Sequence, residues 1–164
     1  MADLHVFTTG GTIDKIYFDR LSEFQVGGPQ IVDLLRESNV RFSWALTPLM
    51  RKDSLELTDA DRAAIVAAVR DCAEPRVLVT HGTDTMIATA RALAATALDK
   101  TVVLTGAMQP ATQRGSDAVF NIGFAIGVLR TLPGGVHLAM NGEVFRPDAV
   151  RKNRQANRFE PSVP

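Results

Sequence analysis

Leu4-His5-Val6-Phe7-Thr8-Thr9-Gly10-Gly11-Thr12-Ile13 decides the fold. An apolar run that breaks into a glycine pair reads as a strand stopped by a tight turn, and this turn presents a hydroxyl. The figure returns twice. Val77-Leu78-Val79 runs into Thr80-His81-Gly82-Thr83-Asp84-Thr85, and Val102-Val103-Leu104 runs into Thr105-Gly106-Ala107-Met108. In an open parallel sheet such strand ends share one edge, and that edge is where ligands bind.

Outward from these strands, short apolar runs alternate with helix-like segments. Strands are expected at Leu4–Phe7, Phe42–Leu46, Val77–Val79, Val102–Leu104 and Val136–Met140, and helices at Pro29–Glu37, Asp59–Cys72, Thr85–Ala97 and Asp117–Arg130. This alternation is that of βαβ units. It predicts one α/β domain over residues 1–164, a three-layer sandwich around a mostly parallel sheet of the Rossmann or flavodoxin-like kind. Thr58 followed by Asp61 resembles a capping box at the start of the second helix. Phe120, Phe124 and Val128, spaced by four, are expected to face the sheet from the last helix. Met50, Met86, Met108 and Met140 read as packing residues, and Trp44 as core or interface.

Two regions depart from the alternation. Residues 14–28 mix Tyr17, Phe18, Leu21, Phe24 and Val26 with charges and read as a hairpin or mobile loop, placed to act as a lid over Thr12. The polar tail Arg146–Pro164, with Arg146, Arg151, Lys152, Arg154 and Arg158, is expected to be an exposed or partner-packed extension.

Composition narrows the function. The chain has 164 residues, 46% hydrophobic and 22% charged, which suits one domain with a sizeable core. Its 18 basic and 18 acidic residues cancel, so there is no electrostatic footprint for nucleic acid or an anionic membrane, and a small neutral or zwitterionic ligand fits better. The single cysteine, Cys72, forms no disulfide within the chain and reads as a core residue. No apolar run reaches the roughly 18 residues of a membrane span, and Met1-Ala2-Asp3 does not begin a leader, which points to a cytoplasmic protein. His5, His81 and His137 lack metal-ligand spacing, and neither G-x-G-x-x-G nor G-x-x-x-x-G-K-[ST] occurs, so neither a metal nor another cofactor is expected. His81 is expected to pack beneath its turn.

The remaining chemistry is that of an activated hydroxyl. A threonine becomes a nucleophile when a base takes its proton and donors stabilise the oxyanion. Gly10 and Gly11 let a substrate approach the backbone, and Gly82-Thr83 can aim an N–H at a developing negative charge. Asp84 suits an ammonium group or a lysine, and a lysine serves as base where burial lowers its pKa from about 10.4. The same residues have plainer readings. Thr12 suits an ordinary turn, Thr83 and Asp84 a helix cap, and Lys152 a solvated tail.

Together, Thr9-Gly10-Gly11-Thr12-Ile13, Thr80-His81-Gly82-Thr83-Asp84-Thr85-Met86 and Leu104-Thr105-Gly106-Ala107-Met108 resemble the bacterial L-asparaginase family, in order and interval, over nearly the whole chain. The resemblance implies that Thr12 is the acylated nucleophile, that Thr83, Asp84 and Lys152 form the proton relay, and that Tyr17, the only tyrosine, belongs to the lid. It implies substrate contacts at Gly11, Asp53, Ser54, Gly82 and the Ala107 carbonyl. Tyr17 lies nearer its nucleophile than the family's lid tyrosine does.

The implied activity is hydrolysis of L-asparagine to aspartate and ammonia, with glutamine as a lesser substrate. The alternatives are a non-catalytic amino-acid sensor and an amidase subunit that depends on a partner. Typical members carry a second, C-terminal domain after the lysine segment, so the resemblance is to a short-chain member without it. An open site of that kind leads us to expect a homo-oligomer, a dimer or higher.

Overall fold

The structure, a computed structural model, describes residues 1–162. Five parallel strands make the frame: β1 (Leu4–Gly10), β4 (Trp44–Lys52), β5 (Arg76–Thr80), β6 (Thr101–Thr105) and β7 (Gly135–Met140). β8 (Glu143–Phe145) adds an antiparallel edge, giving the order β4-β1-β5-β6-β7-β8. Neighbouring strands in a parallel sheet need crossovers, and helices supply them: α1 (Ile31–Glu37), α2 (Asp59–Asp71), α3 (Met86–Ala94) and α4 (Ala118–Thr131). The strand order reverses between β1 and β5, so the two strand ends Gly10-Gly11 and Thr80-His81 flank a topological switch point.

Side-chain alternation on the buried strands builds two cores. Leu78 and Val103 face one side with Leu4 and Val6, against Ile31 and Leu35 of α1 and Ile122, Ala125 and Leu129 of α4. Val77, Val79, Val102 and Leu104 face the other side, against Ile65 and Val69 of α2 and Met86, Ala90 and Leu93 of α3. This is the expected three-layer α/β arrangement. The capping box at Thr58 and Asp61 forms in full. Trp44 is half-buried on the first core, Met86 and Met140 are fully buried, and Cys72 packs at the margin of the second core. No described helix is long and apolar enough to cross a membrane.

Three expectations need correction. The strand expected to end at Leu46 continues to Lys52. Pro48 hides the continuation in sequence, yet β4 is an edge strand, where a missing N–H is tolerated. On α4 the ring of Phe120 is 61% exposed, while Ala118, Asn121, Ile122, Ala125, Val128 and Leu129 are buried. The helix is apolar nearly all round, so spacing alone misjudges its inner face.

The third correction concerns the tail, which is folded into the domain as a hairpin of β9 (Val150–Asn153) and β10 (Arg158–Pro161). Its apolar anchors Val150 and Phe159 are buried in the second core, and the Phe159 N–H donates to Asn141 Oδ1 at 2.9 Å. Val163 and Pro164 lie outside the described residues.

Residues 14–28 do form a hairpin, β2 (Lys15–Phe18) paired antiparallel with β3 (Glu23–Val26). Asp14 pins its base. The Asp14 N–H donates to the Gly11 carbonyl at 3.1 Å, its carbonyl accepts the Gly27 N–H at 2.7 Å, and its Oδ1 accepts the Gln30 N–H at 2.8 Å. Asp14 is only 2% exposed, and burial pushes its carboxyl up to about 7, against the Gln30 hydrogen bond and the charge of Arg51.

A carboxyl raised in the folded state binds its proton more tightly there than in the unfolded chain. Its stabilising contribution is therefore full below pH ~4 and is lost as the pH rises toward 7. Asp14→Asn keeps an acceptor for Gln30 and removes the titration. Its melting temperature relative to the unsubstituted protein is expected to rise between pH 4 and pH 8, by the equivalent of up to about 4 kcal/mol. Thermal melts in which the difference stays constant across that range would contradict this.

Candidate active site

The ends of β4, β1, β5 and β6 meet closely because three of them turn on glycine. Gly10 and Gly11 have φ of +96° and +85°, which glycine adopts freely. A Cβ on Gly11 would lie 2.4 Å from Gly82 Cα, and one on Gly82 would lie 2.7 Å from Ser54 Oγ. Gly11, Gly82 and Ser54 therefore stack in direct contact across the switch point, each from a different strand end. The Gly11 N–H donates to the Lys52 carbonyl at 2.9 Å, tying the stack to β4. Thr12 follows at once, half-buried, as the first residue of a single 3-10 turn, Thr12–Asp14.

His81 secures the β5 side of this contact. It is fully buried, the Thr89 hydroxyl meets its Nε2 at 2.8 Å, and its Nδ1 lies 2.7 Å from the Gly82 carbonyl. A carbonyl only accepts, so Nδ1 carries the hydrogen and Thr89 donates to Nε2. Burial lowers the imidazole to about 4, which keeps it neutral. His81 thus packs beneath the turn, as its place in the sequence suggests.

Lys152 reaches the same edge from the tail hairpin. On β9 and β10 the cross-strand pair Lys152 and Phe159 shares a face with Val150, and Val150 and Phe159 are buried. Alternation then turns Lys152 inward and Arg151 out to solvent. Lys152 Nζ donates to Thr83 Oγ1 at 2.8 Å and to Asp84 Oδ1 at 2.9 Å. Its side chain is 15% exposed and that of Asp84 26%, so the pair is partly withdrawn from solvent screening.

The other anticipated residues divide. Ser54 is 2% exposed and opens a short 3-10 turn capped by Asp53, whose side chain accepts the Leu55 N–H at 3.1 Å. Asp53 also pairs with Lys15 at 2.9 Å. The Lys15 hydrogen bond holds its carboxyl below the usual range, and the charge of Lys152 adds to the effect. Ala107 is buried at the β6 end, beside Gly106. Tyr17 stands outside this network. It is 53% exposed on the hairpin and packs edge-on against Phe24, with ring centroids 5.4 Å apart.

Two further groups carry no sequence motif. Asp117 accepts the Met108 and Gln109 N–H groups, and Asn121 donates to the Gly106 carbonyl at 2.9 Å, so the first turns of α4 brace the loop after β6. Arg154, in the turn between β9 and β10, pairs with the same Asp84 oxygen that Lys152 holds, at 3.1 Å. Its place in a run of basic residues hides it. Among the described residues no group of His, Cys, Asp and Glu side chains is arranged to hold a metal ion. A concavity of about 530 Å³ near Arg91, Ala95, His137 and Arg146 shares no residue with this cluster.

The family model described as Asparaginase, N-terminal, matches residues 3–160. The chain is 29% identical to L-asparaginase of Bacillus licheniformis over 163 residues, covering 93% of this chain and 50% of that protein. It is 32% identical, over 143 residues, to a subunit of the glutamyl-tRNA(Gln) amidotransferase of Thermoplasma acidophilum, covering 84% of this chain and 35% of that protein. The solved structure of the probable cytoplasmic L-asparaginase from Campylobacter jejuni superposes with a TM-score of 0.83 at 26% identity, covering 98% of this chain and 53% of that one. The chain thus spans about half the length of the L-asparaginases it matches, or less. With the motif-bearing strand ends at the switch point and a match from residue 3 to residue 160, the chain belongs to the asparaginase family, corresponding to its N-terminal domain.

Proposed function

We propose that the protein hydrolyses the side-chain amide of L-asparagine, with Thr12 as the nucleophile. The observation that carries this reading is the double hydrogen bond from Lys152 Nζ to Thr83 Oγ1 and Asp84 Oδ1, across 69 and 68 residues of chain, beside the contact of Gly11 with Gly82. A structural lysine in a basic tail has no need of a buried hydroxyl. A relay that activates water does.

In this mechanism the Thr12 hydroxyl oxygen bonds to the amide carbon, the proton it loses passes by way of the base to the amide nitrogen, the carbon–nitrogen bond breaks, and ammonia leaves. The resulting ester is attacked by water. The Thr83 oxygen takes a proton from that water as its own hydroxyl proton passes to Lys152 Nζ, and the water oxygen bonds to the ester carbon. The bond from that carbon to the Thr12 oxygen breaks, and the Thr12 oxygen takes a proton back from the relay as aspartate is released. The substrate α-carboxylate binds at Ser54 and neighbouring backbone donors, Asp84 receives the α-ammonium, and Gly11, Gly82 and Asp53 line the approach. The Ala107 carbonyl accepts from the leaving amide, and Tyr17 closes with the 14–28 hairpin as a lid.

A second reading is an amidase subunit that acts with a partner. Similarity to the amidotransferase protein favours it. A cytoplasmic location belongs to the proposal and is supported by likeness to the Campylobacter jejuni protein. So does a homo-oligomer, supported by exposed Val119 and Phe120 on α4. Light scattering that returns the mass of a single chain would remove the oligomer.

The purified protein is expected to release ammonia from L-asparagine, and Thr12→Ala is expected to abolish that release. Lys152→Met should lower kcat by roughly 10² to 10⁴ while the protein remains folded by circular dichroism. Ammonia release that survives Thr12→Ala would exclude Thr12 as the nucleophile. Release seen only when a partner is added would favour the second reading, and none under either condition would favour a non-catalytic sensor.

A further inference from the structure

The edge around Thr83 carries more positive than negative charge. Lys15, Lys152 and Arg154 stand against Asp53 and Asp84, joined by ion pairs of 2.9–3.1 Å. Both Lys152 and Arg154 meet the same oxygen, Asp84 Oδ1. The two cations differ in freedom. Lys152 is held on the inner face of β9 and bound to Thr83, whereas the Arg154 side chain is 70% exposed in a surface turn. An ion pair with so exposed a partner contributes little and is readily exchanged.

Resting on the reading of the site as an amino-acid amidohydrolase, we infer that Arg154 is a specificity residue, holding Asp84 in the free protein and joining Ser54 in receiving the substrate's α-carboxylate in the complex. An α-amino acid carries its ammonium and carboxylate on one carbon. When the ammonium takes its place at Asp84, it competes with Arg154 for that carboxylate, and the exposed guanidinium is free to turn to the substrate's own carboxylate. The planar fork of guanidinium donors matches a carboxylate in geometry and charge. The exchange leaves each charge paired, and the one excess positive charge at the edge favours a ligand that carries a carboxylate over one that does not.

The inference predicts opposite effects on two substrates. Removing Arg154 takes away a carboxylate partner and also frees Asp84 from a competitor for the ammonium. Ammonia release by the unsubstituted protein, Arg154→Ala and Arg154→Lys is measured with L-asparagine and with its α-methyl ester, which keeps the ammonium and masks the carboxylate. For Arg154→Ala, KM for asparagine is expected to rise about 10-fold with kcat within twofold, while KM for the ester falls. Arg154→Lys is expected to recover part of the asparagine KM. KM values that move together, or that do not move, overturn the inference and leave the amidohydrolase reading standing. If the unsubstituted protein releases no ammonia, that reading falls, and L-aspartate binding by titration calorimetry decides. Weaker binding in Arg154→Ala then supports Arg154 as a carboxylate partner, and equal affinity overturns it.

Discussion

The contact between Gly11 and Gly82 is the constraint on which the site depends. Two parallel strands cannot bring their ends together at a switch point if either carries a side chain there, since a Cβ on Gly11 would lie 2.4 Å from its neighbour's Cα. The positive φ of Gly11 serves the same end, turning the chain at the contact so that Thr12 follows it at once. Ser54 is drawn into the stack by the absence of a Cβ on Gly82, and His81 holds the Gly82 carbonyl from beneath.

Around that rigid contact the charged groups are mounted with graded freedom. Lys152 is held by buried apolar neighbours on its own hairpin, so its direction is set by packing. Asp84 is partly screened and shared between two cations, and Arg154 is largely in solvent. The 14–28 hairpin is less well buried, with Tyr17, Phe18, Leu21 and Phe24 exposed, and its base is pinned by the hydrogen bonds of Asp14 to Gly11, Gly27 and Gln30. An element of this kind, with few buried apolar contacts, sits at the low end of local stability, where lids are found.

Much of the frame was legible in local sequence. β5 and β6 are continuous apolar runs because both faces of a parallel strand are buried, and each stops in small and hydroxyl residues at the strand-end edge. The second helix announced its start through Thr58 and Asp61. Local signals failed where burial was sparse or one-sided. Val150 and Phe159 anchor the tail hairpin, but they are separated by charged and amide residues that suggest solvent. Phe120 and Val128 are both apolar, and only the position of α4 on the sheet made one exposed and the other buried.

The identity of the motifs, the α/β alternation and the neutral charge balance were present in the chain itself, because strand burial, turn chemistry and composition act over a few residues at a time. How Lys152 is brought against Thr83, that Arg154 shares its carboxylate partner, and that Asp117 and Asn121 brace the third turn depended on folding. The lysine and arginine pairs join residues about 70 positions apart in sequence, whereas Asp117 and Asn121 reach back 8 to 15 residues across the turn. Their distances follow from strand order and from the cross-strand register of a hairpin, and neither quantity exists until the sheet has closed around its two cores.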